Sequence, residues 1–344
     1  MHYKFFTFLL LSIFLFSCKK ETPNNARKAP PSIEIKPETW MHDLIVKYPS
    51  KNITLLDIML PAAHDAGIYQ LTSCTFGANA CNTETQLLNF NEQLMQGIRM
   101  FDVRPTFYNN AFYTYHATDC DGLGCRGAAL YTVLNDVNKF LDNHAELVFF
   151  EISHFCHTST SDTALLNLFN RILGNKIYKE TNPISMPFIH QPLKDIIGNG
   201  TSGKIILIFD GVANTSTNRA NGLFSGSFLL PKEGRWTNSH YLKDMLQGQL
   251  NEYQNFSNDG EHLFQFSWQI TQNELQAINC AINPNAPSIH KTADSANVRI
   301  APILDSLISV NEIRKGRIPN IIYLDFSESF VTKQCIKISK LNIE

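Results

Sequence analysis

The 344-residue chain has no surplus of either charge: 29 Lys and Arg stand against 31 Asp and Glu, for a formal net charge of −2. With no excess of basic residues and a modest aromatic content, it offers no footprint for nucleic acid, and that partner is set aside. There is no internal repeat and no low-complexity block. No two cysteines are spaced C-x-x-C, so disulfides are favoured over a zinc site. Long apolar runs are also missing, apart from residues 5–16, and that run falls short of the ~20 apolar residues of a membrane-spanning helix.

What that run does resemble is an export signal. Met1 to Lys4 give a short basic start, residues 5–16 are almost continuously apolar, and Leu15-Phe-Ser-Cys18 puts a small residue before a cysteine, as at a bacterial lipoprotein cleavage site. The expectation is a signal peptide over 1–17, a lipidated Cys18, and a polar, proline-bearing tether over 18–39 that cannot build a core. The protein is then an exported lipoprotein of a bacterial cell envelope, anchored at the periplasmic face or the cell surface. Residues 40–344 remain for one domain, a length that α/β barrels reach with insertions.

The most informative residues are His64 and Asp65, in Leu60-Pro-Ala-Ala-His-Asp-Ala-Gly67. The apolar stretch 53–60 reads as a buried strand closed by Pro61, and the small residues around His64 leave room for a ligand. Alone, a histidine in a loop is no more than permissive for acid/base chemistry. A second element follows at 92–105, where Gly97 ends a helix and a strand from Ile98 carries Asp102 and Arg104. Two residues apart, these opposite charges leave the same face of an apolar strand, which is costly unless they are paired or functional. The stretch 111–116 is a third short strand, so three successive strands finish in His64, Arg104 and His116.

Strand candidates at 53–60, 98–104, 111–116, 146–153, 203–210, 225–230, 262–270 and 319–326 are mostly separated by helix-compatible stretches such as 129–142 and 164–173. Eight such strands with polar residues at their C-terminal ends predict a single-domain TIM-type (β/α)8 barrel of the α/β class. The short link between the second and third strands implies an imperfect, distorted barrel. Apart from Cys18 there are seven cysteines, an odd number, so at least one is free or pairs outside the chain. Cys74/Cys81 and Cys120/Cys125 are close pairs in loops where a disulfide would stiffen the site, although spacing leaves the connectivity open.

Taken in order, "LPAAHDAG", "EQLMQGIRMFDVRP", "FYTYH" and "AELVFFEISHF" resemble the X domain of phosphatidylinositol-specific phospholipases C, in the bacterial-type, metal-independent branch. The likeness is strong over about 40–155 and thinner through "GKIILIFDG", "LFQFSWQIT" and "NIIYLDF". It implies His64 as general base, His116 as general acid, Arg104 as the group stabilising phosphate, Asp65 as the carboxylate beside the base, and Asp325 as the late carboxylate that orients it. The metal-dependent branch has Asn after its His and two acids on the second strand, whereas here Asp65 and Arg104 stand in those places. The resemblance therefore implies no metal and no cofactor. The implied activity is a phosphodiesterase of phosphorus–oxygen lyase type that acts on phosphatidylinositol or a glycosyl-phosphatidylinositol, yielding diacylglycerol and inositol 1,2-cyclic phosphate, with the chain a monomer held at a membrane by its lipid.

Glu151, Ser153 and His154 end the fourth strand, where the bacterial enzymes carry basic residues. Glu151 and His154, with Asp210, Trp268 and Gln269 on later strands, are the candidate substrate-binding residues. Trp236 and Phe224 are candidates for membrane contact, and His144 and His157 read as solvated loop residues. Two alternatives stand beside the lipase: a metal-dependent glycerophosphodiesterase on a similar barrel, for which a His-Arg-Gly start and a paired Glu-x-Asp are lacking, and a non-catalytic surface lipoprotein that binds lipid or glycan.

Overall fold

Eight strands form one curled, wholly parallel sheet in the order β10-β11-β12-β1-β3-β7-β8-β9. In chain order the strands are β1 (Leu60–Ala63), β2 (Ser73–Cys74), β3 (Met100–Val103), β4 (Pro105–Tyr108), β5 (Ala111–Ala117), β6 (Gly124–Ala129), β7 (Leu147–Ile152), β8 (Lys204–Phe209), β9 (Leu223–Phe224), β10 (Lys232–Glu233), β11 (Leu263–Ser267) and β12 (Ile321–Leu324). The computed structural model describes residues 33–120, 122–156, 159–180, 186–198 and 201–344. The signal segment, Cys18 and His157 lie outside them. Glu34–Glu344 packs as one unit, so the end of the expected tether already belongs to the body: Arg99 donates to the carbonyls of Pro37 and Glu38.

The fold is a distorted α/β barrel, as the strand pattern predicts, and it is distorted both at the opening between β9 and β10 and at the short link after β3. Among the described residues no ladder joins β9 to β10, the two shortest strands of the sheet, so the ring is left open there. The third candidate, 111–116, is β5 and leaves the barrel for a separate antiparallel sheet ordered β2-β6-β5-β4. Most of the sixth candidate, 225–230, is a helical turn, Gly226–Leu229, and the dipeptide strands β9 and β10 flank it instead. The first strand starts where 53–60 was expected to end, because Leu55–Asp57 turns as a 3-10 helix held by the Thr54 and Asp57 side chains.

Pro61 consequently lies inside β1, where it has no N–H to give the ladder. Its carbonyl accepts from Arg99 N just before β3, and the Ile98 carbonyl beside it takes a donor from the Arg99 guanidinium. The buried Trp40 anchors the same approach to β3, its Nε1–H bonding to Gly97 O at 3.0 Å.

The strands alternate between two cores. Leu60, Ala62, Met100, Phe149, Ile206, Ile208, Leu263 and Ile321 face inward onto the apolar plug of Trp40, Met41 and Leu44. Ala63, Phe101, Val103, Val148, Phe150, Leu207, Phe264, Phe266 and Leu324 face outward, under helices that include Phe90–Met95 and Leu130–Asn143. Continued past the apolar layers, the inward period of two brings His64, Asp102 and Arg104, Glu151 and Ser153, Asp210, Ser267 and Gln269, and Tyr323 and Asp325 to the C-terminal mouth.

Candidate active site

The mouth holds a cavity of about 880 Å³ lined by His64, Asp102, Arg104, His116, Glu151, Ser153, His154, Asp210, Lys232, Trp236, Gln269, Tyr323 and Asp325, among others. His64 follows β1 directly, its backbone N–H bonded to Leu324 O and its carbonyl accepting from Gln86 Nε2. Nδ1 of the ring lies 2.7 Å from Asp325 Oδ1; since a carboxylate accepts, the proton is on Nδ1. That leaves Nε2 facing the cavity, 3.0 Å from Arg104 Nη2, to which it offers a lone pair only when the ring is neutral. Burial acts to lower the pKa of His64, but the Asp65 and Asp325 carboxylates outweigh it and raise the value to about 9.

His116 arrives from the other sheet, on β5. Its Nδ1 donates to the backbone carbonyl of Thr83 at 2.8 Å, which turns Nε2 into the cavity. The two imidazole rings stand 6.5 Å apart, centroid to centroid, at 70°. Between their Nε2 atoms sits Asp65 Oδ2, 3.4 Å from His64 and 3.7 Å from His116. Asp65 lies off the inward period of β1 and faces the site because its backbone is left-handed, with φ 44°. Its carboxylate is wholly buried and has no aligned hydrogen-bond donor, its charge being answered by Arg104 Nε at 2.7 Å from Oδ1.

Arg104 is held on both sides. Asp102 Oδ2 accepts from its Nε at 3.1 Å and its Nη2 at 2.8 Å, and Ser153 Oγ donates to Asp102 Oδ1 at 2.9 Å. The cost of two charges on one strand face is thus met by pairing them. Burial would raise the Asp102 pKa, but Arg104 and then His64 outweigh it and hold it at about 2. His64, Asp65 and Asp102 have ligand atoms within 4.8 Å of one another, close enough for a metal ion. The Arg104 guanidinium already lies against both carboxylates, so the fixed positive charge there is organic.

All five expected catalytic residues therefore meet at one place, and four of the five expected binding residues line the same cavity. Trp268 does not. It has outward parity on its strand, is buried in the outer core and donates Nε1–H to Ala296 O, so it packs the barrel wall. Phe224 is fully buried and cannot touch a membrane, whereas Trp236 is half exposed at the cavity. His144 is no free loop residue: its ring stacks on Phe140 and its Nδ1 bonds Phe140 O.

Sequence reasoning passed over Lys232 and Tyr323, which both bind the Glu151 carboxylate. Tyr323 stands two residues before Asp325 on one strand, a signal that period-two counting can find. Lys232 sits on a dipeptide strand and carries no such signal.

The disulfides differ from the close pairs suggested by spacing. They join Cys74 to Cys125, Cys81 to Cys280 and Cys120 to Cys156, and among the described residues Cys335 is a buried free thiol. Antiparallel pairing sets Cys74 directly opposite Cys125, the Cys81–Cys280 bond joins the helices Ala80–Thr83 and Glu274–Ile282, and Cys120–Cys156 links the segments that follow β5 and β7.

No protein-family model matches the chain. It is 29% identical over 171 residues, 42% of its length, to PI-PLC X domain-containing protein 3 of Bos taurus, and 28% identical over the same length to that of Homo sapiens. The match covers about half of these curated relatives, 50% of each. Among solved structures, the phosphatidylinositol-specific phospholipase C of Listeria monocytogenes superposes with a TM-score of 0.64 at 20% identity, covering 88% of this chain and 99% of that one. A phosphatidylinositol-specific phospholipase C from Staphylococcus aureus gives 0.61 at 17% identity, covering 90% and 99%. The chain thus has the barrel fold of the bacterial phosphatidylinositol-specific phospholipases C, and part of it is similar in sequence to the PI-PLC X domain-containing proteins.

Proposed function

We propose that the protein cleaves the phosphodiester of phosphatidylinositol, or of a glycosyl-phosphatidylinositol, releasing diacylglycerol and inositol 1,2-cyclic phosphate. The observation that carries this reading is the pair of cavity-facing Nε2 atoms on His64 and His116, flanking one buried carboxylate with Arg104 alongside. A simple binding module has no need for two opposed proton carriers.

In the proposed reaction the inositol 2-hydroxyl attacks phosphorus. Because this nucleophile is part of the substrate, positioning supplies much of the acceleration and no enzyme nucleophile is required. In its neutral form His64 takes the hydroxyl proton on Nε2, and Asp325 on Nδ1 stabilises the imidazolium that forms. His116 Nε2–H, 3.7 Å from Asp65 Oδ2, gives its proton to the departing glycerol oxygen. Arg104 exchanges its contact with His64 for the non-bridging phosphate oxygens, bound through its planar fork.

The test is phosphorus NMR of the products. The 1,2-cyclic phosphate should be the first phosphorus species from phosphatidylinositol, phosphatidylcholine and phosphatidylethanolamine should stay intact, and turnover should survive EDTA. A noncyclic monoester as first product, or activity lost to EDTA and restored by calcium, would overturn the reading.

In line with the amino-terminal motif, we also propose that the chain is exported and held at a membrane by lipid on Cys18, as a monomer. Metabolic labelling with a palmitate analogue should mark the wild type and leave Cys18→Ala unlabelled.

A further inference from the structure

Thr83, Thr85 and Gln86 are almost wholly buried beside the site, on one short stretch of chain that ends the helix Ala80–Thr83 and runs on from it. Polar groups are buried at a cost unless they find hydrogen bonds. Here the partners belong to the chain segments that carry His64, Asp65, His116 and Asp325.

Gln86 spans two strands of the barrel. Its Nε2 donates to the His64 carbonyl at 2.8 Å and to the Leu324 carbonyl at 3.4 Å, while its Oε1 accepts from Ser327 N–H at 2.9 Å. One amide therefore fixes the end of β1, with His64, against the turn after β12, with Asp325. Thr85 holds the turns themselves. Its hydroxyl donates to Asp65 O at 3.0 Å, and its carbonyl accepts from Phe326 N–H at 2.7 Å. Both partners are left-handed, Asp65 at φ 44° and Phe326 at φ 53°, a conformation that a residue other than glycine keeps only where its surroundings over-determine it. The first turn brings the Asp65 carboxylate between the two imidazoles, and the second directly follows Asp325. Thr83 completes the set, since its carbonyl accepts from His116 Nδ1. His116 from one sheet, and His64 with Asp325 from the other, are thus tied to the single segment 83–86.

We propose that Thr85 and Gln86 are positioning residues: acting through Asp65 and His64, they lock the two left-handed turns and so set the placement of the His64–Asp325 pair relative to His116. This inference rests on the acid/base roles given under Proposed function and adds the residues that hold those groups in register.

The test compares Thr85→Val, Thr85→Ser and Gln86→Met with the wild type, each shown to be folded by near-UV circular dichroism and urea unfolding. The first measurement follows the His64 Cε1–H by NMR without substrate. That ring faces Asp65, Asp102, Arg104, His116 and Asp325, so its midpoint reports where the carboxylates stand. Thr85→Val and Gln86→Met should lower the midpoint from about 9 towards the ordinary ~6.5, and Thr85→Ser, which keeps the hydroxyl, should stay near the wild type. The second measurement is cleavage of phosphatidylinositol, with kcat read at the optimum of each variant's pH profile. Loss of either side chain should lower kcat by up to ~10²-fold, the cost of misplacing a reacting group by about 1 Å, with KM changed far less, and Thr85→Ser should retain wild-type turnover. A purely structural role would lower the urea midpoint and leave the His64 midpoint and kcat of the folded variants where they were, which would overturn the inference. If Gln86→Met does not fold, the contrast between Thr85→Val and Thr85→Ser decides it. If the wild type releases no diacylglycerol, the lipase reading fails alone, because the titration still shows whether these side chains hold the carboxylates in place.

Discussion

A histidine with Asp325 on one nitrogen and Arg104 on the other is a base held between opposing charges, and titration reports which wins. By NMR, the Cε1–H of His64 should titrate well above the ordinary ~6.5 of histidine, near 9, because the flanking carboxylates outweigh burial. Asp325→Asn removes one carboxylate and should lower that midpoint. With the folded value above the unfolded one, this charge stabilises the fold fully below about pH 6.5, and the contribution disappears as pH rises through about 9. For activity, His64→Ala and His116→Ala should each lose ~10²–10⁴-fold with little loss of folding, as expected when general acid–base catalysis is removed. A substrate with a nitrophenyl leaving group should rescue His116→Ala more than His64→Ala, since only the acid assists departure. At this scale much was legible in the sequence: His64, Asp65, Arg104, His116 and Asp325 are all found together. Trp268 was misplaced for want of a parity count, and Lys232 was invisible because a two-residue strand has no periodicity to read.

Among the elements, β1 joins the site to the core, and the chain that enters the neighbouring β3 is anchored at Gly97 by a tryptophan from outside the sheet. Trp40→Phe keeps most of the buried ring but leaves the Gly97 carbonyl without a donor, which should cost ~1–3 kcal/mol in urea unfolding. An unchanged midpoint would show that the carbonyl finds another partner. Beside it, Arg99 and Glu146 form a buried ion pair, Nε to Oε2 at 2.8 Å, and Glu146 also accepts from the backbone of Met41 and His42. Burial pushes Glu146 up and Arg99 down from their usual values, against the attraction between them. Removing one partner strands the other, so Glu146→Ala should destabilise by ~3–5 kcal/mol. Strand periodicity in the sequence located five of the eight barrel strands and the helix Leu130–Asn143, and it caught β1 only by its first residue. It failed at β9 and β10, two residues each, and at 111–116, where alternation marks a strand without saying which sheet receives it.

Over the whole molecule, the two halves of the proposed acid/base pair come from different sheets, and the disulfides reinforce the contact between them. Cys81 lies on the helix Ala80–Thr83, whose Thr83 carbonyl orients His116, and Cys280 is 199 residues away on the helix Glu274–Ile282. A Cys81→Ser/Cys280→Ser variant should lose ~2–5 kcal/mol of stability. It should also lose kcat more than KM, because the acid, not the binding wall, is loosened. Sequence alone cannot provide this connectivity, since residues that far apart are brought together only by the closing of the barrel. The central claim is that the substrate supplies its own nucleophile between His64 and His116, and 2-O-methyl phosphatidylinositol tests it most directly. With the hydroxyl blocked, the lipid should bind and release no diacylglycerol. Release at a rate comparable with phosphatidylinositol would contradict cyclisation, and with it the roles assigned to His64, His116 and Arg104.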